Sequence, residues 1–311
     1  MQSPERFDAD VIAAYGRHVL LRDDAAVVLR ARPFGRDLDI VCGDRVACQR
    51  DAHGEVLATA VHKRSSVLLR SNARARSEPI VANLTMAAVV IAAVPRPDPF
   101  MIDRYLCAAA SAGLASLLIV NKADLPLRDE DEAALAELAA LGWQVHRVSA
   151  LAGTGLPTLA TALSGHTSVL LGQSGVGKSS LIRQLAVDGQ DAVTGELMRE
   201  SEGRHTTTAS RLYDCIGGGR IIDSPGVRDY APSVDQLDAA SLGFIEVDRI
   251  APGCRFADCK HRQEPGCAVT AAVADGRMSA RRYESYRRLR RLYEELLGQR
   301  APGTRGNGNR R

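Results

Sequence analysis

Gly172-Gln173-Ser174-Gly175-Val176-Gly177-Lys178-Ser179 decides the fold. An apolar run, Thr167 to Leu171, precedes it, and a helix is expected to begin near Lys178. Strand, glycine-rich turn and helix in that order make a phosphate-binding P-loop. The glycines let successive backbone N–H groups turn inward around a phosphate, at the positive end of the helix. Lys178 would reach the β- and γ-phosphates, Ser179 would ligate Mg²⁺ through its hydroxyl, and Ser180 is grouped with the same cradle. A glycine-rich turn that happens to precede a helix is the plain alternative, and it leaves the lysine, the serine and the strand unexplained.

A P-loop does not choose its base. Asn121-Lys122-Ala123-Asp124 directly follows the apolar run Ala115 to Val120. A carboxylate placed there accepts from both N1–H and the N2 amino group of guanine, a donor pair that adenine lacks. Asn121 would contact the other edge of the base, and the Lys122 stem would lie over the ring. Ser149-Ala150, at the end of the next apolar stretch, fits a loop whose N–H reaches guanine O6. Alone, such a tetrapeptide also caps helices as a turn. Beside a P-loop it becomes a guanine reader.

Downstream, Asp223-Ser224-Pro225-Gly226 follows Ile221-Ile222. Asp223 can hold Mg²⁺ through water, and Gly226 can offer its N–H to the γ-phosphate. Between this motif and the P-loop lies Gly203-Arg204-His205-Thr206-Thr207-Thr208, where Thr207 is expected to complete the Mg²⁺ shell. The position that carries a water-orienting glutamine in Ras-like GTPases is here Val227. His205 is the nearest group that could accept a hydrogen bond from the attacking water, and a packing role for it stays open. His205, Lys178 and Thr207 are therefore the expected catalytic residues, and GTP or GDP with Mg²⁺ the expected ligand. The order is unusual, because the base-reading motifs precede the P-loop. That is a circular permutation, tolerated where termini lie close and the new break falls in a loop. It joins the segment after Asp223 directly to whatever follows.

Outward from this centre the texture changes twice. In residues 1–75, Val27-Val28-Leu29, Asp39-Ile40-Val41, Arg45-Val46-Ala47 and Val67-Leu68-Leu69 are short stretches separated by turn signals, which suggests a small β-barrel. Ser71 to Ser77, rich in Arg and small residues, reads as a linker. Residues 76–232 alternate apolar runs (Met86 to Val94, Ala115 to Val120, Trp143 to Val148) with helices expected over Phe100 to Ala112 and Glu130 to Leu141. That is the pattern of a doubly wound, mostly parallel α/β sheet. In residues 233–298, Cys254-x4-Cys259-x-His261-x5-Cys267 has the donors of a closed, tetrahedral, structural zinc site. Cys42, Cys48, Cys107 and Cys215 read as small core residues. An amphipathic helix is expected over Arg281 to Leu297, with Tyr283, Tyr286, Leu289 and Tyr293 on one side and the arginines largely on the other. Gly298 to Arg311 reads as a disordered basic tail, with the boundary between module and tail set at 298/299.

Composition limits the alternatives. Hydrophobic residues at 45% and charged residues at 25% are ordinary for a soluble globular chain with a sizeable core. The longest apolar run is Met86 to Val94, far short of the ~20 residues needed to span a bilayer, and Met1 to Tyr15 lacks the apolar centre of a secretory signal. A cytoplasmic protein, a monomer with no membrane contact, is the expectation. The net charge of +3 does not by itself imply a polyanionic partner. From Arg277 to Arg311, however, eleven Arg stand against three Glu, which suits phosphate backbones or an acidic partner as well as a solvated helix face. Two other function classes compete: a P-loop kinase for a small molecule, and a zinc-containing RNA-binding protein with a nucleotide switch and little hydrolysis.

Taken together, Cys42-Gly43-Asp44-Arg45-Val46, the permuted motif order, Gly203-Arg204-His205-Thr206-Thr207-Thr208 and the Cys-Cys-His-Cys spacing closely resemble the ribosome small subunit-dependent GTPases of the RsgA (YjeQ) family. The resemblance runs over nearly the whole chain. It implies an OB-fold N-terminal domain, a permuted G domain and a mostly helical C-terminal domain holding one zinc. It also implies slow GTP hydrolysis that the small (30S) subunit accelerates, late maturation of that subunit, and contact with 16S rRNA.

Overall fold

The alternating segments near the N-terminus close into a barrel in the computed structural model, which describes residues 5–15, 18–35, 38–71, 77–188, 210–224 and 236–300. Its strands are β1 (Arg6–Ala14), β2 (Val19–Asp23), β3 (Val28–Pro33), β4 (Arg45–Arg50) and β5 (Val56–Val61). They run in the order β1-β2-β3-β5-β4, and β4 closes on β1 from Arg6↔Gln49 to Asp10↔Arg45. The parallel β3–β5 pairing marks the five-stranded Greek-key barrel of an OB fold. Val11, Leu21, Val46 and Ala58 fill its interior.

Two expectations change here. Asp39–Val41 is not a strand: the Val41 N–H is taken by the Asp44 carboxylate at 2.9 Å, so the segment bends as a loop. Asp44 is itself buried and held by Arg64 at 2.7 and 2.9 Å. Gly43 between them has φ 93°, and a Cβ there would lie 2.2 Å from the Ala82 carbonyl oxygen. Only glycine lets the barrel approach the next unit so closely. Val67–Leu69 does form a strand, but outside the barrel. It lies in β6 (Val67–Ser71), which pairs antiparallel with β7 (Ser77–Ala82), Ser71 facing Ser77. The stretch read as a linker thus joins the two arms of a hairpin.

The central runs become β8 (Met86–Ala92), α1 (Pro99–Ser111), β9 (Ala115–Asn121), α2 (Asp129–Ala140), β10 (Val145–Arg147), α3 (Leu156–Leu163), β11 (Thr167–Leu171) and α4 (Lys178–Leu185). After them come β12 (Ser210–Asp214) and β13 (Arg220–Asp223). The parallel order is β10-β9-β8-β11-β13, with β12 antiparallel on its edge. Every residue of β8 is buried, because helices cover both faces. Ala87, Val89 and Ile91 meet the core of α1 and α2, whereas Met86, Ala88 and Val90 meet that of α3 and α4. The side-chain period of a strand divides one continuous apolar run between two layers. Barrel and central sheet are continuous, since β12 also pairs with β1.

The C-terminal part is helical: α5 (Ile245–Ile250), α6 (Ala268–Ala274) and α7 (Ala280–Arg300). Phe244, Tyr286, Leu289 and Val269 form its core, to which Cys107 of α1 contributes. Helix α7 runs three residues past its expected end, so the stretch set down as a tail begins inside it; residues 301–311 lie outside the described part. Its arginines are not all on the solvent side. Arg282 is 1% exposed, forms two hydrogen bonds to Glu246 at 2.6 Å and one to Asp103 of α1 at 2.7 Å, and sits 4.6 Å from the Phe244 ring centroid. Arg290 is buried as well, donating to the Ala239 and Ala240 carbonyls at 2.7 and 2.6 Å. No helix among the described residues is long and apolar enough to cross a membrane.

Candidate nucleotide site and metal cluster

The P-loop leaves the end of β11 and enters α4, with Gly172, Gly175 and Gly177 all at positive φ. A Cβ at Gly172 would meet the Val90 carbonyl oxygen at 2.2 Å, and one at Gly177 the Asn121 amide at 2.3 Å. These glycines let the loop lie against its neighbours as well as turn. Val176 is fully buried and anchors the loop, whereas Ser174, Gly175 and Ser179 face outward. The Lys178 Nζ donates to the Gly172 and Gln173 carbonyls at 2.6 and 2.8 Å, holding its charge over the turn. Ser180 closes the first helical turn through its N–H to the Gly177 carbonyl at 3.1 Å.

Asn121 ends β9 and is buried. Its Nδ2 donates to the Val176 carbonyl at 2.9 Å, and its Oδ1 accepts the Ala150 N–H at 3.1 Å. One side chain therefore ties the loop of residues 121–124 to the P-loop and to Ser149-Ala150. Lys122 adopts φ 56°, and its Nζ donates to the carbonyls of Val94 and Gly175 at 2.7 and 2.8 Å. The Ala123 N–H reaches the Val148 carbonyl at 3.0 Å, which sets the turn. Asp124 is exposed and accepts from the Ser149 hydroxyl at 2.6 Å. That hydroxyl holds its carboxyl below the ordinary aspartate value, so it is an anionic acceptor at neutral pH. The bracing carbonyl of Val94 was not foreseen, although Pro95 after the apolar run marks the chain leaving the sheet there.

Asp223 ends β13 facing Arg211 of β12, beside the strand that carries the P-loop. Thus 121–124, 149–150, 172–180 and Asp223 gather at the carboxyl ends of parallel strands, where open α/β sheets bind ligands. The permuted connection leaves that arrangement intact. His205, Thr207, Gly226 and Val227 lie outside the described residues.

The four expected metal ligands also come together. One donor atom from each of Cys254, Cys259, His261 and Cys267 lies within 4.8 Å of all the others. The His261 Nδ1 stands 3.4 Å from the Cys254 Sγ and 3.6 Å from the Cys267 Sγ, spacings that suit one ion at ~2.0–2.3 Å from each donor. Burial first, and then nearby Arg290, lower the His261 imidazole below its ordinary value, which favours the neutral form a metal needs. Burial alone would raise the Cys267 thiol, but hydrogen bonds from Thr270 at the start of α6 help bring it below its usual value. The set fits a structural zinc.

Comparison with known proteins agrees with this geometry. The profile of the RsgA GTPase family matches residues 61–232. A protein of Pseudomonas putida named small ribosomal subunit biogenesis GTPase RsgA is 43% identical over 288 residues, covering 90% of this chain and 83% of its own. One of the same name from Ectopseudomonas mendocina is 42% identical over 255 residues, covering 80% and 74%. Among solved structures, YjeQ from Thermotoga maritima matches with a TM-score of 0.69 at 25% identity, over 94% of this chain and 99% of that one. YloQ, described as a circularly permuted GTPase, shares the fold with a TM-score of 0.67 at 24% identity, over 96% and 98%.

Proposed function

The chain belongs to the RsgA GTPase family, and from that premise we propose a GTP hydrolase that assists late maturation of the small ribosomal subunit while bound to it through 16S rRNA. One observation carries the nucleotide reading. The Asn121 amide joins the loop of Asp124, the loop of Ala150 and the P-loop, so guanine and phosphate subsites form one unit despite the permutation.

The proposed division of labour follows. Asp124 accepts the two guanine N–H groups, the Ala150 N–H is shared between the Asn121 Oδ1 and O6, and Asn121 has a second amide proton to offer the opposite edge. The N–H groups of the P-loop and Lys178 hold the phosphates. Ser179, Thr207 and, through water, Asp223 would hold Mg²⁺, which when bound neutralises charge growing on the β- and γ-oxygens. Gly226 would offer its N–H to the γ-phosphate. His205 orients the attacking water, a role that Val227 cannot fill. Cys254, Cys259, His261 and Cys267 hold one zinc that shapes the C-terminal module. The functional units are proposed as 1–75, 76–232 and 233–298, with 299–311 a basic tail, acting as a monomer in the cytoplasm. Support for the RNA contact comes from the names of the relatives and from exposed Arg287, Arg288 and Arg291 on α7, which suit a phosphate backbone.

Nucleotide titration tests this reading. GTP and GDP should bind while ATP does not. Asp124→Asn should weaken guanine binding by about 100-fold or more and admit xanthosine nucleotides instead. Equal binding of ATP and GTP by the parent protein would refute it.

A further inference from the structure

Strand β12 has a neighbour on each side. Towards the nucleotide site it pairs with β13, Arg211 facing Asp223. Towards the barrel it pairs with β1, Ala13 facing Arg211 and Ala14 facing Ser210. One step beyond the Arg211–Asp223 pair, the Ser210 hydroxyl donates to the Ser224 hydroxyl at 2.7 Å, the usual length for an O–H···O bond. Ser224 is 1% exposed, so a lost hydroxyl is not replaced from bulk water. In sequence, Thr208 stands two residues before Ser210 and Gly226 two residues after Ser224. Both segments expected at the γ-phosphate are therefore joined in sequence to this one pair.

We propose that Ser210 and Ser224 are a positioning pair that fixes Asp223 at the triphosphate end of the site and registers it against barrel strand β1; the inference rests on the GTPase reading above. Ser224 directly follows Asp223, the last residue of β13. Tying Ser224 to β12 sets the height and twist of the strand end, and with it the direction of the neighbouring carboxylate. Ser210 is held from the other side by the β1 backbone, and the Arg22–Asp214 and Arg220–Asp10 ion pairs lock the seam further along. The barrel thus braces the strand that carries Ser210. A positional error near 1 Å at such a group costs up to ~100-fold in rate. Asp223 would act through Mg²⁺, so GDP bound without that ion, held by the P-loop and the loops of Asp124 and Ala150, should not sense the pair.

The test compares parent, Ser210→Ala, Ser210→Thr, Ser224→Ala and the double alanine variant. Affinity for a non-hydrolysable GTP analogue is measured with Mg²⁺ and affinity for GDP without it, followed by GTP turnover. The expected result is about a 3- to 10-fold loss for the analogue in either alanine variant, with GDP unchanged. Turnover should fall by about tenfold or more. Ser210→Thr, which keeps the hydroxyl on a residue suited to a strand, should restore both. The double variant should be no worse than the worse single one, the signature of two groups acting through each other. Unchanged GDP affinity also reports that the variants are folded. Parent-like analogue affinity and turnover in Ser210→Ala, or equal weakening of both nucleotides, would overturn the pair alone. Failure of the parent itself to bind guanine nucleotides would overturn the GTPase reading as well.

Discussion

Asn121 shows how much one residue of a motif can do besides touch a ligand. Sequence spacing marks it as a base contact, whereas its amide also clamps two other loops through Val176 and Ala150. Lys122 is similar, its ammonium bracing Val94 and Gly175. Those second roles were not legible because their partners are backbone atoms, which carry no residue identity. His205 is the opposite case, an expectation that rests only on elimination from the missing glutamine at Val227. If its neutral imidazole orients water, His205→Ala should leave GTP affinity nearly unchanged. Small-subunit-stimulated turnover should then fall by about 100-fold or more, because the group acts only in the transition state. Stimulated turnover near the parent rate would assign the water to another group, and single-turnover kinetics with saturating subunits decides it.

At the level of elements, period and composition revealed the central strands and helices well. They missed β1, β2 and β5 of the barrel and α3 and β12 of the centre, and they placed Val67–Leu69 in the barrel. A short alternating strand looks the same whether it closes a barrel or forms a hairpin, and only long-range pairing distinguishes them. Helix α7 was seen as amphipathic, yet Arg282 and Arg290 lie within its buried face. Hydropathy hides such residues, because an arginine whose three side-chain nitrogens each donate to Asp103 or Glu246 can sit in a core. This triad joins α1, α5 and α7, and Arg281 extends it to Glu137 of α2 at 2.7 Å. Removing one member leaves buried charge uncompensated. Arg282→Met should cost roughly 3–5 kcal/mol in urea unfolding, and adding Asp103→Leu and Glu246→Leu should recover most of it. A single variant within ~0.5 kcal/mol of the parent would show that the triad is not what docks α7.

For the whole molecule, permutation moves the chain ends without moving the site. The P-loop, guanine loop and Asp223 were legible because each is a local motif, and the sheet collects them at one edge whatever their order. The route from barrel to site through β1 and β12 was not, since it depends on pairing across some two hundred residues, Ala14 with Ser210. The C-terminal module is held to the centre through Arg282 and through Gln236, whose side chain pairs with the Leu69 N–H and the Val67 carbonyl of β6. Its own shape is proposed to depend on zinc held by the cysteine cluster. A single zinc should copurify, and Cys259→Ser should remove amide-exchange protection mainly from residues 236–300, because structural zinc contributes folding free energy directly. Metal analysis that finds no zinc in protein purified without chelators would exclude that role. Steady-state nucleotide turnover with and without purified small subunits decides whether the protein is a guanine-specific hydrolase answering to the small ribosomal subunit. Slow GTP turnover that rises about tenfold or more on adding subunits, with ATP left untouched, is the predicted result. GTP turnover indifferent to the subunits, or ATP consumed at the same rate, would contradict it.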